Sequence, residues 1–202
     1  GVKFHSGKAV TAGDVAWSFE RSLKLDRGGA QLLRQLGLTK QNVTLRARAE
    51  GEQTFVLDLD DALSPSLVYN ILSCYAASVV DSRLGLQIAK DGDYASNWLR
   101  MKDGGSGPFR LDLWRPGQGL VLSKFANHHQ GAPILERIAI RHVPESQVQR
   151  LMLEKGDLDV ARNLAPDDIA KLEASPDIAI NRIPQGGLSY IGMNMKVKAL
   201  AD

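Results

Sequence analysis

Residues 109–122 alternate apolar and polar side chains on either side of a glycine turn, which leaves few folds open. Phe109, Leu111 and Leu113 share one face, Gly117-Gln118-Gly119 reverses the chain, and Leu120 and Leu122 return, so a β-hairpin is predicted. A second is expected where Val43, Leu45, Ala47 and Ala49 alternate with polar residues and Gly51-Glu52-Gln53 turns back into Phe55, Leu57 and Leu59. Helical spacing separates them from other segments. Thr11, with Asp14 at the capping-box offset, opens a helix through Ala12, Val15, Ala16, Phe19 and Leu23, stopped at Gly28-Gly29. Pro65 to Leu72 reads as a short helix, and Asp81 to Gly107 as a loop-rich connection.

Farther on, Arg137 to Val143 reads as a strand, and Pro144 leads into a helix carrying Val148, Leu151 and Met152 that Gly156 ends. Leu158 to Ala161 reads as a short buried strand, so strand, helix and strand suggest a parallel βαβ unit. A helix follows Pro166, with Asp167 and Asp168 suited to its positive end, and strands follow at Ile178 to Ile183 and Ser189 to Met195. The fold class expected is α/β with a mixed sheet.

Composition removes several classes. With 44% hydrophobic and 24% charged residues the chain is no collagen, coiled coil or disordered tail. Lys+Arg 25 against Asp+Glu 23 leaves a formal charge of +2 without a basic block, so no nucleic-acid partner is expected. The apolar run from Tyr69 to Val80 is broken by Asn70, Ser73 and Ser78, short of a membrane span. Cys74 lacks an internal partner and is expected to be a buried small hydrophobe. The start at Gly1 and the stop after Leu200-Ala201-Asp202 suggest a piece of a longer polypeptide.

Tests for chemistry give little. Gly104-Gly105-Ser106-Gly107-Pro108 fails as a nucleophile elbow because Pro108 replaces the last glycine, and it lacks the residues of a phosphate loop. His128-His129 is the one metal-like pair, but neighbours on an extended segment point oppositely, so no metal is expected. Glu154, Asp157 and Asp159 read as solvated turn residues, and His5 and His142 have no visible nucleophile. No catalytic residue and no cofactor is assigned. Trp17, Trp98 and Trp114 are taken as packing residues.

Several motifs, in order, carry a resemblance. They are Gly1-Val2-Lys3-Phe4-His5-Ser6-Gly7-Lys8, the helix Thr11-Ala12-Gly13-Asp14-Val15-Ala16-Trp17-Ser18-Phe19-Glu20-Arg21, Gly105-Ser106-Gly107-Pro108-Phe109-Arg110-Leu111 and Trp114-Arg115-Pro116-Gly117-Gln118. Val143-Pro144-Glu145-Ser146, Lys155-Gly156-Asp157-Leu158-Asp159-Val160-Ala161 and Leu188-Ser189-Tyr190-Ile191-Gly192-Met193-Asn194 continue it. The chain resembles the family 5 solute-binding proteins of bacterial ABC importers, the group that takes peptides and nickel chelates. Ser6 and Gly13 depart from the acids usual there, and His128 and His129 stand where relatives carry an aromatic pair.

The resemblance implies a periplasmic binding protein-like lobe of type II with an extra α+β subdomain. Residues 1–8 would end the N-terminal part of lobe I, 9–104 form the extra subdomain, and 105–202 continue lobe I to the hinge, with the second lobe absent. It implies capture of a peptide-like solute between two lobes and delivery to the transmembrane subunits of a permease. A monomer is implied, periplasmic or lipid-anchored on the outer face of a Gram-positive membrane. By the rule that open α/β sheets bind ligands beyond their strands' carboxyl ends, the cleft wall would include Arg162, Asn163, Gly187, Leu188 and Tyr190. Arg162 would meet a ligand carboxylate, Asn163 hydrogen-bond, Gly187 allow close backbone approach and Tyr190 supply a wall. Tyr75 would line the cleft from the extra subdomain. A nickel chelate, opine or sugar as the solute, the sensor domain of a transcription regulator, and an unrecognised hydrolase are the alternative readings.

Overall fold

Thr11 starts the first helix by a reciprocal device. The Asp14 carboxylate accepts from the Thr11 backbone N–H at 2.8 Å and from its hydroxyl at 2.7 Å, fixing the entry to α1, Ala12–Leu25. The computed structural model describes residues 1–59, 62–184, 187, 192 and 196. Helix α1 stops earlier than Gly28-Gly29, because Asp26 takes the left-handed conformation and its carboxylate is gripped by Arg34 and Lys40. Ala30–Arg34 then forms α2.

The first expected hairpin forms only in part. Val43–Arg46 is a helical turn, α3, and the strand β1 covers Ala47–Glu50, pairing antiparallel with β2, Thr54–Leu57. Thr39 and Asn42 exchange side-chain bonds to each other's backbone N–H, and Asn42 also reaches the Gly37 carbonyl, which winds the chain before Val43. Val43 and Ala47 are buried at helical i, i+4 spacing while Leu45, read as inward, is 72% exposed.

Helix α4 is Pro65–Leu72, with Ser64 capping the Leu67 N–H, and Tyr75–Ala77 makes a 3-10 turn. Cys74 is half-buried rather than buried, its thiol near the Asn70 carbonyl. The loop expected from Asp81 to Gly107 contains two helices, α5 over Ser82–Ile88 and α6 over Ser96–Leu99. Asp81 caps α5 by accepting from Arg83 and Leu84 N–H, a start signal hidden among the other Asp and Gly residues. The main core gathers Phe19 and Leu23 of α1, Leu33, Leu36, Leu38 and Val43, with Ile71 from α4.

The second hairpin forms as expected. Strands β3, Phe109–Arg115, and β4, Gly119–Lys124, pair antiparallel with a bulge between Leu111 and Leu113, and β5, Arg137–Arg141, adds to β4. The packing role expected of Trp114 is only half met, since it stays 40% exposed on β3.

Gly1–His142 and Val143–Asp202 are two compact units. In the second, α7 is Ser146–Glu154 and α8 is Pro166–Leu172. Gly156, at φ +77, ends α7 with paired bonds from Gly156 N–H to the Leu153 carbonyl and Asp157 N–H to the Met152 carbonyl. Arg150 holds the helices together, its guanidinium on Asp168 at 3.0 Å and on Glu154 at 2.7 Å, while Ser146 donates to Asp168 at 2.6 Å. The expected strands Leu158 to Ala161 and Ile178 to Ile183 pair with nothing among the described residues, so no parallel βαβ unit forms there. Alternation reports one-sided burial, but a strand also needs a partner edge. The expected strand Ser189 to Met195 lies outside the described residues, apart from Gly192.

Candidate functional site

The motif segments at the two ends of residues 5–107 meet. His5 Nδ1 lies 2.5 Å from Asp103 Oδ2, and His5 Nε2 lies 2.8 Å from the Gly107 carbonyl. Both neighbours are acceptors, an arrangement that favours donation from both ring nitrogens and so the imidazolium form. Burial opposes that charge, yet the bonds to Asp103 and Gly107 prevail and raise the His5 pKa above its ordinary 6.5. Asp103 is likewise desolvated, but accepts from His5, Gly105 N–H and Leu111 N–H, and its pKa falls. The imidazole meets the Phe125 ring edge-on at 4.9 Å. With both nitrogens committed, His5 has none left to take a proton from a nucleophile. The pair is a clasp between chain segments, and sequence reasoning missed it although both members sit in or beside the motifs.

A second polar knot lies beside it. Asp14, 1% exposed, accepts from the Ser82 hydroxyl at 2.6 Å and the Ser82 N–H at 3.1 Å besides its two bonds from Thr11. Ser18 donates to the Asp14 carbonyl and accepts from Val80 N–H, and Ser6 donates to Asp81 at 2.6 Å. Ser6 thus does by donation what the acid usual at its position cannot do towards a carboxylate.

The residues expected at a solute wall are distributed as follows. Arg162 and Asn163 are exposed neighbours in the second unit, between α7 and α8. Arg162 N–H donates to Gln149 Oε1 at 3.3 Å, Gln149 is itself fixed on the Val143 carbonyl, and the Arg162 guanidinium makes no ion pair among the described residues. Asn163 holds a left-handed backbone, φ +56. Gly187 is exposed, with open space where a Cβ would stand. Leu188 and Tyr190 lie outside the described residues. Tyr75 is in the first unit, 74% exposed, on the wall of a cavity of about 280 Å³ shared with Arg21, Arg27, Leu99 and Arg100. His128 and His129 do not point oppositely, because a turn brings their rings to 4.3 Å, yet no group of three ligating side chains exists among the described residues. None of their helices is long and apolar enough to cross a membrane.

Comparison with known proteins decides the family. The sequence pattern of "Bacterial extracellular solute-binding proteins, family 5 Middle" matches residues 1–202. The chain belongs to this family. Among its relatives is a probable D,D-dipeptide-binding periplasmic protein of Escherichia coli (strain K12), 30% identical over 96% of this chain and 35% of that protein. A periplasmic binding protein of Helicobacter pylori solved with the peptide STSA superposes with a TM-score of 0.70 at 20% identity, over 88% of this chain and 36% of that one. An Agrobacterium tumefaciens binding protein solved with mannopinic acid does so at 0.78 and 22% identity, over 100% and 38%. These likenesses establish the periplasmic binding protein fold of the family 5 type, mixed α and β. The chain spans about a third of the length of these relatives.

Proposed function

We propose that the protein carrying these residues is the solute-capturing component of an ABC importer. It holds a peptide-like solute between two lobes outside the cytoplasmic membrane and presents the closed form to the transmembrane subunits of a permease. The observation that carries this is the family match along the whole chain, together with relatives whose names specify peptides. No reaction is assigned, which agrees with a His5 ring that has both nitrogens engaged. The relatives named above are binding proteins, which favours the importer over the sensor reading.

The solute wall is assigned to Arg162, Asn163, Gly187, Leu188 and Tyr190. Arg162 suits a ligand carboxylate, since its backbone is anchored to α7 while its guanidinium has no carboxylate partner among the described residues. Residues 9–104 are assigned to an extra subdomain inserted in the lobe, whose ends join where Lys3 bridges Ala9 and His5 N–H reaches the Gly105 carbonyl at 2.9 Å. The working form is a monomer. Isothermal titration of the whole protein with a panel of di-, tri- and tetrapeptides tests the reading. Saturable binding weakened about tenfold by Arg162→Gln supports it; peptides that bind no better than free amino acids contradict it.

A further inference from the structure

Arg34, Arg48, Arg83, Arg110, Arg150 and Arg182 each meet a carboxylate. Arg21, Arg27 and Arg100 make no ion pair among the described residues and, unlike Arg115, Arg137, Arg141 and Arg162, they converge on the 280 Å³ cavity formed by the end of α1, the start of α2, the 3-10 turn and α6. Arg21, half-buried, gives its Nε–H to the Tyr94 carbonyl at 3.0 Å. Asp93, whose charge acts on Arg21, has its carboxylate oxygens bonded by the backbone N–H groups of Lys90, Ala95 and Asn97. Asp26, next to Arg27 in the chain, is taken by Arg34 and Lys40. The Arg21 pKa is lowered first by burial and then by the Arg27 charge, with the Asp93 charge offsetting them only in part.

The rest of the lining is mostly apolar, with Ser22, whose hydroxyl is spent on the Ala76 carbonyl, and Ser96 as its polar members. Leu25, Ala30, Ala76 and Leu99 contribute hydrocarbon, and Tyr75 lies flush against Gly29, where a Cβ would come within 2.7 Å of its ring. Guanidinium groups with free donors recognise planar or tetrahedral oxyanions, and an aromatic wall receives a flat apolar group. The volume is close to the lower end of the roughly 300–1,000 Å³ range of ligand pockets, so the occupant is small.

We propose that this cavity binds a small organic anion, a phosphate or carboxylate carrying an apolar group, held by Arg21, Arg27 and Arg100 with its apolar part against Tyr75 and Leu99. The cavity lies wholly within the first unit, so the proposal goes beyond the solute-capture reading and does not rest on it. It moves Tyr75 from the solute wall to a site of its own.

The test titrates phenyl phosphate, benzoate and neutral phenol into the whole protein by calorimetry and by NMR shift mapping. Saturable one-to-one binding of either anion, at least about tenfold tighter than phenol and falling as salt rises, is expected. The tighter of the two anions identifies the charged group. Arg27→Gln and Arg100→Gln are the variants of choice, because both side chains are exposed and unpaired and their loss leaves the fold intact; each is expected to weaken binding by about tenfold. No saturable binding up to millimolar ligand, equal binding of phenol, or anion binding unchanged in the double variant would overturn the proposal and leave three solvated arginines.

Discussion

His5 and Asp103 are separated by 98 positions in the chain yet share the shortest charged contact of the clasp. The signs of their shifts give the pH response. His5, raised, contributes stability that is fully present below its ordinary 6.5 and is lost as pH rises through its higher folded value. Asp103, lowered, contributes stability present above its ordinary 3.8 and lost as pH falls through its lower folded value. The clasp is therefore strongest between those limits. Thermal melts should show Tm falling on the alkaline side in the wild type and a flattened alkaline limb in His5→Gln. An unchanged limb in that variant contradicts the assignment. Asp14→Ala is expected to be more damaging, because it leaves four half-buried donors from Thr11 and Ser82 without their acceptor. A loss on the order of 3 kcal/mol, read by denaturant unfolding, is expected. The sequence showed Thr11 and Asp14 as a cap, since that geometry is local. It could not show Ser82 or the His5–Asp103 pair, whose members meet only through the fold.

Helix α5 packs on α1 through a glycine. A Cβ at Gly85 would lie 2.4 Å from the Trp17 ring, so Gly85→Ala must push the indole away, costing about 1–3 kcal/mol in a Tm measurement. Gly156→Ala instead strains a left-handed backbone at the end of α7, by about 1–2 kcal/mol, and should speed hydrogen exchange at the Asp157 amide. Slowed or unchanged exchange there would contradict the role given to that turn. Elements closed by local devices were legible in advance: α1, α4, α7, α8 and the β3–β4 hairpin each carry a cap, proline or turn in sequence. Elements set by distant partners were not. Val43–Arg46 alternates like a strand but winds because Thr39 and Asn42 lock the preceding turn, and Leu158 to Ala161 has strand composition without a described partner edge.

Family membership came from motif order, which the alternating pattern alone would not have supplied. In the proposed solute wall, Arg162 and Asn163 were expected beyond the end of a Leu158 to Ala161 strand; the loop is there, between α7 and α8, but that strand is not formed among the described residues. The arginine cavity was not legible at all, since Arg21, Arg27 and Arg100 come from separate segments with no common motif. The chain spans about a third of its relatives' length, and Ile134, Leu135, Val160 and Ile183 are each at least 60% exposed. Expressed by themselves, these 202 residues should bind an apolar dye such as anilinonaphthalene sulfonate more strongly than the whole protein does. Native mass spectrometry of the whole protein, purified without denaturation and then unfolded to release what it holds, tests solute capture most directly. A set of short peptides released from a one-to-one complex is the result expected. An empty protein that shows no thermal shift with any peptide would contradict it.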